Sequence, residues 1–335
     1  NPRWVAVSPD GTRVYVTNEA DENVSVIDTA TNTVVATVAV GDEPYGVAVS
    51  PDGVTAYVTN ASDDTVSVID VATNTVIDTI AVGNDPRGLA FSPDGATAYV
   101  INANNGGIGS VSVIDVTTHT VTDTYVVGEH PRGVAVSPDG ATVYVSNEYG
   151  QNVSVIDAAT NNVSTFVDVG LVPEAMAISP DSTRLYVVNQ GAVSVIDTAT
   201  NTVVDTITTG YNLPGIAFSP DGANVYVTGG NNPGDISVID TATNTVIDTI
   251  TAGTSPGGLA VSPDGTTGYA ANYGSDTVSV IRLALPSQAL FTAAAPSERA
   301  GLWDLLIREI QRTFFNRTPT TAYDPAENRQ TFDAD

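Results

Sequence analysis

Seven copies of a unit of about 42 residues run from residue 1 to about residue 281, each holding four short Val-, Ile-, Thr- and Tyr-rich runs separated by Pro, Gly, Asp and Asn turns. With no helical periodicity across that region, this pattern predicts an all-β fold: a seven-bladed β-propeller of four-stranded antiparallel blades, with a short C-terminal helix and linker. The unit is marked by Ser-Pro-Asp-Gly at Ser8–Gly11, Ser50–Gly53, Ser92–Gly95, Ser137–Gly140, Ser219–Gly222 and Ser262–Gly265, with serine in the last place at Ser179–Ser182. The first and seventh units keep the apolar pattern of the interior ones. A stacked solenoid would need polar caps at those two places, so a closed ring is favoured.

The second unit shows the elements in order. Gly46–Ser50 is a first strand and Thr55–Asn60 a second, joined by the Pro-Asp-Gly turn. A polar loop leads to a third strand at Thr65–Asp70, and the turn Val71–Asn74 leads to a fourth at Thr75–Val82. Aspartate and glycine do turn chemistry there: the carboxylate bonds nearby backbone N–H groups and glycine takes positive φ. That reading is preferred over a ring of calcium ligands, because no unit alternates ligands as a calcium loop does.

The seventh unit ends after its third strand, and Arg282 stands where six other units have aspartate. Residues 287–294 are the candidate for the missing fourth strand, which gives a propeller over residues 1–294. A helix is expected over 295–316, where Trp303, Ile307, Ile310 and Phe314 recur at helical spacing behind Ser297 as N-cap. Residues 317–335 are polar and proline-punctuated and read as an extended linker. The chain starts at Asn1 without methionine, and further domains of a longer parent chain are expected.

Composition narrows the function classes. The chain has 335 residues with 38 acids against 11 basic residues, all arginine, for a net charge of −27. Such a surface is not built to neutralise phosphates, so no nucleic-acid partner is expected. Without cysteine there is no disulfide framework, thiolate nucleophile or cysteine-held zinc. No apolar run reaches the length of a transmembrane segment.

Tyr57-Val58-Thr59-Asn60, repeated at Tyr15–Asn18 and more loosely at Tyr144–Asn147 and Tyr186–Asn189, resembles the namesake motif of the YVTN β-propeller repeat family. The Val-Ser-Val-Ile-Asp-Thr-Ala-Thr-Asn stretch at 193–201 is equally typical of it. The resemblance implies a seven-bladed fold in a secreted or cell-surface setting, as in surface-layer proteins, and a likeness to propeller lactonases. It implies no single activity.

Differences among the copies locate the candidate site. The Ser-Pro-Asp-Gly and Asp-x-Ala-Thr-Asn turns lie on one face, the bottom, and hardly vary. The top-face loops differ in every copy: Glu19–Asn23, Ala103–Ser110, Glu148–Asn152 and Gly230–Asp235. Variable loops on a rigid scaffold are where binding specificity resides. After the proline entering each innermost strand come Arg3, Tyr45, Arg87, Arg132, Glu174, Gly215 and Gly257. Three of the propeller's five arginines share this register, in a region carrying 31 acids.

Arg3, Arg87 and Arg132, with Tyr45, Glu174, Trp4 and His130 beside them, are the candidate ligand-binding residues at the channel mouth. A small anionic ligand is expected if the guanidiniums are free, since their forks suit carboxylate and phosphate. The competing reading pairs each arginine with a neighbouring acid such as Asp42, Glu43, Asp85 or Glu129. Glu174, Asn147 and Asn189 are weak candidates for holding a possible Ca²⁺. Of the two histidines, His119 replaces a turn asparagine, and His130 is the one imaginable catalytic imidazole. With no catalytic residues assigned, the expected role is a binding or scaffold module meeting a protein or glycan partner through its top loops. The alternative is a lactonase-like, metal-assisted hydrolase at the same mouth.

Overall fold

The computed structural model describes residues 1–210, 215–229, 234–283 and 329–333. Seven four-stranded antiparallel sheets follow one another in sequence order, each running from its first strand to its fourth without a crossover. Blade 1 is Pro2–Val7, Arg13–Asn18, Asn23–Asp28 and Thr33–Ala39. Blades 2 to 6 span residues 44–81, 86–129, 131–168, 176–208 and 216–251. Blade 7 is Pro256–Val261, Thr267–Asn272 and Thr277–Arg282, completed by Arg329–Asp333. Among the described residues, no helix is long and apolar enough to cross a membrane.

That last strand corrects the sequence expectation. Residues 329–333 of the supposed linker, rather than residues 287–294, pair antiparallel with the third strand, Thr277 opposite Asp333. Strand-forming potential is a poor guide here because the edge of blade 7 can accept any extended segment that reaches it. The expected fourth-strand segment and the helix over 295–316 both lie outside the described residues.

The core lies between blades. Each of seven buried clusters among the described residues joins two neighbours: Tyr15 and Val24 of blade 1 with Val47 and Val58 of blade 2, for example. The ring closes because Val5, Val14 and Val16 of blade 1 share a cluster with Tyr269, Ala271 and Val278 of blade 7. The tyrosine of each second strand is a wedge in this core: Tyr15, Tyr57, Tyr99, Tyr144, Tyr186, Tyr226 and Tyr269 are all buried. Central strands therefore read as almost continuous apolar runs. The outer strands are largely exposed, Val35, Ile77, Val204 and Ile247 among them.

The bottom turns are built as their residue types require. Ser8 Oγ donates to Asp10 Oδ1 at 2.6 Å, which also accepts the Thr12 N–H at 3.0 Å, while Gly11 sits at φ 71°. The same serine–aspartate bond recurs at Asp52, Asp94, Asp139, Asp181, Asp221 and Asp264. These hydroxyls, with the backbone N–H groups, hold all seven carboxyls below the usual aspartate range. The sign follows. A depressed pKa contributes stability above the unfolded value of about 3.9, and that contribution is lost as pH falls through the folded value. Carboxyl carbon NMR of these aspartates is expected to titrate below the unfolded midpoint, with thermal stability falling in the same acid window. Midpoints at or above that of an unfolded peptide would contradict it.

Candidate functional site

The top mouth is positioned by a hydroxyl relay that links blades 1, 2, 4 and 6 each to the next. Thr17 Oγ1 accepts the Trp4 N–H at 3.0 Å and donates to the Tyr45 carbonyl of blade 2 at 2.8 Å. Thr59 does the same between Gly46 and the Arg87 carbonyl, and Ser146 between Gly133 and the Glu174 carbonyl. Glycine follows the mouth residue in blades 2, 3 and 4 for a steric reason. A Cβ on Gly46, Gly88 or Gly133 would stand 2.5, 2.7 or 2.5 Å from the next blade's Arg87, Arg132 or Glu174 carbonyl oxygen.

The relay brings the three arginines onto one aromatic ring. The Cζ atoms of Arg3 and Arg87 lie 4.5 and 4.9 Å from the Tyr45 ring centroid, and Arg132 Nη1 donates to the Tyr45 hydroxyl at 3.4 Å. Burial alone would push the Tyr45 phenol up. The charges of Arg3, Arg132 and Arg87 outweigh it and hold the phenol below its ordinary value.

Each guanidinium also has its own carboxylate. Arg3 meets Glu19 at 3.4 Å, Arg87 meets Asp85 at 2.9 Å, and Arg132 is bonded through Nε to Glu148. Of the acids expected as partners, only Asp85 is used this way. Glu19 and Glu148 were missed, although the sequence held a signal for them. Both directly follow the asparagine that ends the second strand, and both stand in blades whose mouth residue is arginine. Arg87's own blade has Ala103 there instead and draws on Asp85.

Beneath this cluster lies a cavity that is partly open to solvent. Trp4, Tyr45, Arg132 and Glu174 line it together with apolar side chains that include Val47, Leu89, Val134, Met176 and Ile216. Glu174 is half-buried and has no hydrogen bond or ion pair to its side chain among the described residues. Burial pushes its carboxyl above the usual glutamate range, and Glu148 adds to this; Arg132 and Arg3 offset only part.

The remaining candidates are placed elsewhere. His130 does not line the cavity. It occupies a left-handed pre-proline position, φ 49°, shared with Glu43, Asp85, Val172 and Ser255. Its Nε2 lies 3.3 Å from Glu148 and its ring stacks on Tyr149 at 4.6 Å. Burial, then the charges of Arg132 and Arg87, lower its pKa despite Glu148, so it stays neutral near neutral pH.

Asn147 and Asn189 are buried inside their blades. Asn147 Nδ2 donates to Asn152 and Ser154 while its Oδ1 accepts the Gly128 N–H; Asn189 Nδ2 donates to Val169 O and Ser194. These amides pin second strands to third strands, and the Asn189 Oδ1 is buried without a hydrogen-bond partner among the described residues. His119 takes the left-handed turn position, φ 52°, and reaches Asp78 of the neighbouring blade at 3.1 Å. Asn161 and Asn244 make the equivalent bonds to Asp123 and Asp205.

Comparison with known proteins agrees with this architecture. Residues 3–107 match the family model of a YNCE-like β-propeller, and residues 180–285 match that of the cytochrome D1 heme domain. A solved chain of Kuenenia stuttgartiensis hydrazine synthase is 28% identical, with a TM-score of 0.78 over 84% of this chain and 96% of that one. No curated protein matches the sequence. Seven repeats and seven closed blades make the chain a seven-bladed β-propeller, and the propeller matches agree with that fold.

Proposed function

We propose that this propeller is a binding module whose site is the cavity at the top mouth, displayed at a cell surface or secreted. One observation carries the reading: Tyr45, Arg132 and Glu174 converge on an apolar-walled cavity that solvent reaches. Concave, mostly apolar sites with a few convergent polar groups are where small ligands bind. The variable top loops flank the mouth and would make the wider contacts with a protein or glycan.

The haem named in the second matching family is not carried over. Residues 180–285 contain neither histidine nor cysteine, and His130 is stacked on Tyr149 away from the cavity. These residues do not fit an imidazole-held haem.

The chain has two tryptophans, Trp4 and Trp303. In a Trp303→Phe variant, Trp4 emission reports on the mouth alone. A panel of carboxylates, phosphate, sulfate, alkylammonium ions and monosaccharides is expected to include at least one class that changes this emission saturably. A panel that leaves Trp4 unmoved would contradict a small-molecule site. Opening of a lactone or ester at a rate abolished by Glu174→Gln would replace binding with hydrolysis.

A further inference from the structure

The arginine register looks like an anion site, but its charge is already spent. Glu19, Asp85 and Glu148 each hold one guanidinium, and the three arginines also face the Tyr45 ring and hydroxyl. An incoming anion would have to displace a carboxylate from its arginine, exchanging one ion pair for another of the same kind. Glu174 is the carboxylate left over: it lines the cavity with no ion-pair partner among the described residues. Trp4 lines the same cavity, with Met176 and Ile216 on the wall. A carboxylate outside any direct ion pair, beside an indole in a cavity whose one lining arginine, Arg132, is held by Glu148, is chemistry that recognises an organic cation.

We propose that the mouth binds a small organic cation, its ammonium group on Glu174 and against Trp4, rather than an anion. This deepens the binding reading and rests on it. Tyr45 and Arg132 then form part of the wall, and the acid paired with each arginine offsets the charge that would repel the ligand. Binding requires ionised Glu174, so affinity falls as pH drops. The loss begins at a higher pH than an exposed glutamate would give, because burial favours the neutral acid.

The test titrates the chlorides of choline and n-butylammonium, and sodium acetate and sulfate, into the whole chain, followed by calorimetry and by Trp4 emission in the Trp303→Phe variant. Both cations are expected to bind in competition, and Glu174→Gln to weaken them by about tenfold or more. Acetate and sulfate are expected to leave the mouth unchanged. The unsubstituted chain supplies a second measurement, a cation affinity that declines as pH drops from about 7 towards the glutamate range near 4.3. Acetate or sulfate saturating the mouth while the cations fail would overturn this inference and leave the binding reading intact. Failure of both ion classes would remove the inference and count against the small-molecule site itself. A flat pH profile, or a folded Glu174→Gln protein with undiminished affinity, would also overturn the inference.

Discussion

Replacing Tyr57 with alanine is expected to destabilise the propeller by about 3–5 kcal/mol, the range for removing a large buried aromatic side chain. The side chain is fully buried and packs edge-on against Phe91 of the next blade at 4.9 Å between centroids. It also joins a cluster with Val66, Ala98 and Ile114, so its loss opens a cavity between blades 2 and 3 rather than within one sheet.

Its hydroxyl gives a sharper contrast. The Tyr57 hydroxyl is buried without a hydrogen-bond partner among the described residues, and burial pushes the phenol up to about 12. Tyr57→Phe is therefore expected to be neutral or stabilising, since it removes an unpaired polar group. Tyr186 occupies the same position in blade 5, but its hydroxyl bonds Asn244 Oδ1 at 2.5 Å. Tyr186→Phe should cost about 1 kcal/mol. Denaturant midpoints for the three variants decide the matter; equal losses from the two phenylalanines would contradict this hydrogen-bond assignment.

Gly133→Ala is expected to cost about 2–3 kcal/mol by overpacking, although glycine-to-alanine in a strand ordinarily helps by reducing chain entropy. The new Cβ would stand 2.5 Å from the Glu174 carbonyl and 3.3 Å from Ala175 Cα, both backbone atoms that cannot swing aside. Gly268→Ala is the matched control. Its Cβ would meet only the Leu283 side chain, at 3.5 Å, an ordinary contact, and it is expected to be neutral or slightly stabilising. Gly133→Ala also shifts the Glu174 backbone, so it should weaken whatever the mouth binds as well as unfold earlier. A Gly133→Ala protein as stable as the Gly268→Ala control would refute the close approach of blades 4 and 5.

Much of this was legible in the sequence because the signals are local and repeated. Ser-Pro-Asp-Gly bonds its own backbone within a few residues, and each copy strengthens the reading of the others. The placement of Arg3, Arg87 and Arg132 in one register likewise follows from strand counting. What the mouth does with them was hidden. Ionic partners such as Glu19 and Glu148 lie 16 residues away from Arg3 and Arg132, on the neighbouring strand's loop. Tyr45 and Arg132 are 87 residues apart. No spacing rule reaches that far.

The amino-acid sequence by itself determined the seven blades, their turn chemistry and the face on which variation gathers, because each of these is settled inside one unit of about 42 residues. Only the tertiary structure decided how the charges at the mouth pair. Ring curvature sets the innermost strands side by side. Three arginines thus converge on one tyrosine, each beside its own acid, and the carboxylate of Glu174 remains facing the cavity. It decided the last strand of blade 7 for a similar reason: an open sheet edge is completed by whichever segment the folded chain brings to it, here Arg329–Asp333.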